Sequence, residues 1–141
     1  MYVCDVNVLL YAFRPDLPFH DECRAWLTEA LAGPESFGVS ELVMSAVVRI
    51  ATNPRALTPP ESLEDVFAYV NAIRQDAKAI ALTPGPRHWA IFEDLCRTSA
   101  TRGGRVADAY LAALTIEHGA ELVTTDGDFA RFPSLRWKRP F

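Results

Sequence analysis

Five short apolar runs, near residues 2–5, 36–40, 79–82, 121–124 and 135–137, alternate with helical patterns along the chain. Strands separated by helix-sized crossovers pair in parallel, because a hairpin cannot span such a gap. The alternation therefore predicts an α/β fold on a largely parallel sheet. The intervening segments carry matching signals. "FHDECRAWLTEALAG" sets Phe19, Cys23, Trp26, Leu27, Ala30 and Leu31 at helical spacing and ends on Gly33. A helix from about Glu41 to Asn53 stops at Asn53-Pro54, and "TPPESLEDVFAYVNAIRQDA" opens with a Thr58-Pro59-Pro60 start signal. "RHWAIFEDLCRTSAT" and "VADAYLAALTIEH" supply two more helices, the last closed by Gly119. The sequence contains no repeat, low-complexity segment or interdomain linker, so residues 1–141 are expected to form a single domain.

Within the first apolar run, "MYVCDVNVLLYAF", Asp5 stands out, with Asn7 two residues on. Taking an unpaired carboxylate out of water costs roughly several kcal/mol, so something must compensate it. In an open parallel sheet, function gathers beyond the carboxyl ends of the strands. Asp5 closes the first run, Glu41 follows the second, and Asp126 follows "ELVTT". Asp108 lies in the first turn of the helix after a glycine-rich loop, and Asp128 lies two residues past Asp126.

Four carboxylates brought together repel one another, and some would hold a proton near neutral pH unless a cation joined them. All-oxygen anionic ligation without His or Cys suits Mg²⁺ or Mn²⁺, which also accept phosphate oxygens. The candidate cluster is thus Asp5, Glu41, Asp108 and Asp126, with Asp128 at its edge. Taken singly, each acid has a plainer role: Asp5 or Asn7 as a helix cap, Glu41 and Asp108 as first-turn acids, "TTDGDF" as a turn. Independent capping does not, however, place every strand-end acid on one edge of one sheet.

In "ELVMSAVVRIAT" the polar residues Glu41, Ser45, Arg49 and Thr52 form one narrow stripe, facing either the cleft or solvent. In the first case Arg49 would approach a substrate phosphate. Arg102 and Arg105 flank Gly103-Gly104 before Asp108, as a backbone-steering loop or a solvated one. His20, His88 and His118 sit at helix ends and are not expected to be catalytic.

The net charge of −4 argues against nucleic-acid binding by bulk attraction alone, although twelve of the fourteen basic residues are arginine, the side chain suited to paired phosphate contacts. Cys4, Cys23 and Cys96 form no CxxC or Cys/His cluster, which argues against zinc and against a disulfide framework. No apolar run reaches about 18 residues and no signal peptide is evident, so no membrane association is expected and the cytoplasm is the default location.

The fragments "CDVNVLLYAF", "HDECRAWL", "VSELVMSAVVRIATNPR" and "RVADAYLAALTIEHGAELVTTDGDFARFP", in that order, resemble the PIN-domain ribonucleases, and specifically the VapC toxins of type II toxin–antitoxin pairs. The resemblance implies a single PIN-like domain with a central five-stranded parallel sheet in order 3-2-1-4-5, flanked by helices. It assigns the acidic quartet to Asp5, Glu41, Asp108 and Asp126, with Asp128 accessory in the T-x-D-x-D-F pattern from Thr124. Asn7 would orient Asp5 or a metal-bound water; many relatives carry Ser or Thr where this chain has Val6. Thr124 or Thr125 would hydrogen-bond metal-bound water or serve as an ordinary strand threonine. The activity implied is Mg²⁺- or Mn²⁺-dependent hydrolysis of RNA, leaving 5′-phosphate and 3′-hydroxyl ends. The partners implied are a cognate antitoxin and a second copy in a homodimer. Two rival readings are an aspartyl-phosphate phosphatase, which usually wants an acid where Asn7 stands, and a catalytically inert PIN-fold interaction module.

Overall fold

A computed structural model describes residues 1–141. The chain runs β1 (Tyr2–Cys4), α1 (Val6–Phe13), α2 (His20–Ala32), β2 (Phe37–Ser40), α3 (Glu41–Ala51), α4 (Leu63–Arg74), β3 (Ala79–Leu82), α5 (His88–Thr98), α6 (Arg105–Glu117), β4 (Glu121–Val123), a 3-10 turn at Gly127–Arg131, and β5 (Trp137–Lys138). The strands form one parallel sheet in the order β3-β2-β1-β4-β5, with Tyr2 opposite both Phe37 and Glu121. The expected topology is the observed one. Because β1 lies between β2 and β4, the residues that follow these three strands share one edge of the sheet.

The core is one continuous apolar cluster, in which Val3, Phe37, Val39 and Leu122 of the sheet meet Leu9, Val43, Val47 and Leu114 of the helices. β1 and β2 approach closely at Gly38, where an added Cβ would sit 2.7 Å from Leu82 Cδ1 and 3.0 Å from Val3 Cγ2. Only glycine fits that spot without displacing a neighbour. Gly119 ends α6 at φ +62°, a conformation glycine adopts without steric cost.

Three expectations shift by a few residues. α4 begins at Leu63, capped by the Ser62 hydroxyl accepting from Asp65 N at 3.1 Å, so the start signal is Ser62 and not the Thr58-Pro59-Pro60 run. That run instead follows Arg14 onto the body of the protein: the buried guanidinium binds Asp16 and Glu61 and donates to Pro59 O. α3 ends at Ala51, two residues short of Asn53. The last strand forms at Trp137–Lys138, where the chain pairs with β4, and not at 135–137. No helix is long and apolar enough to cross a membrane.

Candidate active site

Asp5 ends β1 and begins α1. Its backbone N–H donates to Val123 O at 2.9 Å, the last rung toward β4, while its Oδ1 accepts from Val6 N at 2.7 Å as a helix cap. Its Oδ2 accepts from Asn7 Nδ2 at 2.8 Å and from Thr124 Oγ1 at 2.7 Å. Capping and site membership are therefore not alternatives for this residue. Thr124, fully buried just past β4, also accepts from Asp126 N at 3.0 Å and Asn7 Nδ2 at 3.2 Å. One donor and two acceptor positions are all a hydroxyl offers, and each is used. Asn7 Oδ1 accepts from Thr125 N at 3.3 Å, which ties α1 to the turn after β4. Asp5 and Asp126 are thus held through the same threonine. The proton of its hydroxyl goes to Asp5.

The surroundings of Asp5 and Asp108 disfavour their charged forms. Burial raises Asp5, 9% exposed, above its ordinary pKa of 3.8, and the charge of Asp126 adds to the effect; hydrogen bonds from Thr124, Val6 and Asn7 oppose it. Asp108, in the first turn of α6, is pushed up to about 6 by burial and by the charges of Asp5 and Asp126, against the pull of Arg131 and Arg105. None of Asp5, Asp108 and Asp126 has a Lys, Arg or His nitrogen within 4.0 Å, the limit for an ion pair. Oxygen donors of one sign, none of them in an ion pair, have the chemistry that suits a hard divalent cation. Asp5, Asn7 and Asp108 line a cleft of about 350 Å³ between α1, α3 and α6, which Arg49 also lines.

The other expected members lie apart. Glu41, with its side chain 70% exposed, accepts from Arg74 Nη2 of α4 at 2.6 Å and lines a separate groove with Met44, Ser45 and Phe67. Asp128 pairs with Arg131 at 2.8 Å and Arg105 at 3.1 Å. No three His, Cys, Asp or Glu side chains are arranged as a ready-made metal site; Asp5, Asp108 and Asp126 lie close enough for their charges to act on one another, while Glu41 lines the other groove.

Helix geometry accounts for the position of Glu41. A spacing of four advances about 400°, so the stripe drifts by about 80° between Glu41 and Arg49. The drift puts Arg49 on the cleft while Glu41 and Ser45 face α4. Thr52 turns its hydroxyl onto Val48 O at 2.8 Å. Arg102 is exposed and makes no side-chain hydrogen bond or ion pair.

Sequence reasoning missed Arg74 and Arg131. Arg131, three residues after Asp128, was open to an i,i+3 reading. Arg74 was not, since only tertiary packing brings it to Glu41. The three histidines each bond a backbone carbonyl, of Tyr11, Tyr110 and Thr83, and none touches the acids.

A parallel sheet in this order, with acids gathered at its carboxyl edge, defines an α/β domain built around an anionic edge site. The PIN domain family matches residues 2–135. Ribonuclease VapC25 and Ribonuclease VapC31 of Mycobacterium tuberculosis are each 39% identical to this chain over 140 residues, covering 99% of both partners in each comparison. Among solved structures, VapBC-1 from nontypeable Haemophilus influenzae has a TM-score of 0.72 at 14% identity, covering 99% of this chain and 97% of that one. VapBC2 from Rickettsia felis, bound to a promoter DNA fragment, has a TM-score of 0.71 at 16% identity, covering 98% and 97%. The chain belongs to the PIN domain family, in its VapC branch.

Proposed function

We propose that this protein is the ribonuclease toxin of a toxin–antitoxin pair, acting as one domain over residues 1–141 and hydrolysing RNA phosphodiester bonds with Mg²⁺ or Mn²⁺. The observation that carries the reading is the pair of desolvated carboxylates Asp5 and Asp108 at the edge of a cleft, with Asp126 close enough for its charge to act on both, and none of the three in an ion pair. The naming of its full-length relatives as VapC ribonucleases supports it. So does the appearance of neighbouring folds in VapBC structures, where a toxin of this fold occurs with its antitoxin. On this reading the protein works in the cytoplasm, is held by a cognate antitoxin, and forms a homodimer.

Asp5, Asp108 and Asp126 would hold the cation. Glu41 opens α3 directly after β2, and its exposed pair with Arg74, worth about 0–1 kcal/mol, is weak enough to release it to join them. A bound Mg²⁺ or Mn²⁺ supplies a Lewis acid that polarises the phosphoryl group and acidifies water. Thr124 and Asn7 fix the Asp5 carboxylate, so it need not reorganise when charge develops on the phosphate. Asp128, engaged by Arg105 and Arg131, steadies the loop that carries Asp126. Arg49 meets the RNA backbone from α3, Arg102 from the loop before α6, and Arg105 from the first turn of α6. The donors on both Asp5 oxygens leave that carboxylate poorly suited to a phosphatase's nucleophile.

The test is cleavage of cellular RNA in Mg²⁺ or Mn²⁺ against EDTA, with an Asp5→Asn control and mapping of new 5′ ends. The proposal expects 5′-phosphate ends that vanish in chelator, and a loss on the order of 1,000-fold in the variant. Cleavage that persists in either arm would overturn it.

A further inference from the structure

We infer that the cleft between α3 and α6 is a subsite for one unpaired nucleobase of the RNA, lying beside the acids. The inference rests on the ribonuclease reading above. At about 350 Å³ the cleft falls at the small end of ligand pockets, roughly 300–1,000 Å³, a size for one nucleotide and not for a duplex. Its walls are apolar, with Leu42, Ala46 and Ile50 on α3 and Ala107 and Leu111 on α6. Leu42 is 38% exposed, a large apolar side chain at the surface beside a charged site.

A phosphate alone has no use for such walls. A nucleotide matches both parts, since its base has flat apolar faces and its phosphate is anionic. Polar groups occur at two places. Asp5, Asn7 and Asp108 carry the acid end, and Arg49 is the one cation among the lining residues. The Arg49 guanidinium makes no hydrogen bond and no ion pair, whereas those of Arg14, Arg74, Arg97, Arg105 and Arg131 all pair with carboxylates. A free planar guanidinium beside an apolar slot can stack on a base or pair with its phosphate, which an ammonium does less well. A base still paired in a helix cannot enter, so the subsite selects unpaired or extruded nucleotides.

The experiment uses a short unstructured RNA with one cut position, together with versions carrying a single abasic nucleotide at each place near the cut. With wild-type protein, one abasic position is expected to raise KM about tenfold, the scale of one stacked base. Ala46→Leu and Ala107→Leu fill the cleft from opposite walls. Each is expected to raise KM for intact RNA by a similar factor and to erase the abasic effect. Mn²⁺ affinity and melting temperature should stay at wild-type values, which separates a filled subsite from a damaged fold or acid site.

An RNA indifferent to abasic substitution at every position, or filled variants with wild-type KM, would overturn the subsite alone. Filled variants that keep wild-type KM but lose antitoxin binding would reassign the cleft to a protein partner and also overturn it. Wild-type protein that cuts no RNA would overturn the ribonuclease reading and the subsite together.

Discussion

Replacing Asp108 by asparagine should make the metal-free protein more stable while removing its activity. Burial and the neighbouring charges of Asp5 and Asp126 lift this carboxyl from 3.8 to about 6. At about 1.4 kcal/mol per pH unit, that lift corresponds to roughly 3 kcal/mol lost from the folded state at neutral pH. Solvent screening at a half-buried side chain reduces the figure to about 1–2 kcal/mol. The sign follows from linkage. The folded state holds the proton more tightly than the unfolded chain, so the penalty is complete above about pH 6. It shrinks as pH falls and is gone below 3.8. Thermal unfolding in EDTA at pH 7.5 should place Asp108→Asn about 3–8 °C above wild type, with the gap narrowing near pH 5 and closing near pH 4. Saturating Mn²⁺ should reverse the order by stabilising wild type alone. A variant no more stable than wild type at pH 7.5 in EDTA would refute the electrostatic account of this residue.

Other substitutions separate positioning from binding. Thr124→Val keeps the shape but removes the hydroxyl from Asp5 and Asp126, and should cost about 1–3 kcal/mol in urea unfolding. Mn²⁺ affinity should fall about 10–100-fold, with recovery in Thr124→Ser; equal loss in both variants would count against the hydroxyl. Arg49→Ala should raise KM for RNA and lower the salt slope by about one, and unchanged values of both would remove Arg49 from the substrate path. Arg74→Gln should shift stability by less than about 1 kcal/mol. It should also lower the Mn²⁺ concentration for half-maximal cleavage by up to about fivefold, and no shift would detach Glu41 from the site.

The sheet was legible because its information is local. Apolar runs, the glycine at 119 and the Asn53-Pro54 stop are written at single positions, and parallel pairing follows from the lengths between them. Asp5 was legible for a different reason, since a carboxylate in a strand violates the pattern around it. The aim of Glu41 was not legible. A stripe at spacings of four looks straight on paper but winds around the helix, and the arginine that receives Glu41 comes from another helix, 33 residues away in sequence. The role of Thr124 was half visible: its position was marked, but the three bonds it shares between Asp5, Asn7 and Asp126 depend on β4 lying beside β1. The separation of Asp128 from the three unpaired acids is likewise tertiary in part, since Arg105 reaches it from α6.

The claim on which the rest depends is that Asp5, Asp108 and Asp126 serve one divalent cation. Binding of Mn²⁺ to the purified protein, followed by electron paramagnetic resonance, measures this without RNA or cleavage. Wild type should show saturable binding that is lost in Asp5→Asn and in Asp108→Asn alike and competed by Mg²⁺. Undiminished binding in either variant would contradict a shared site.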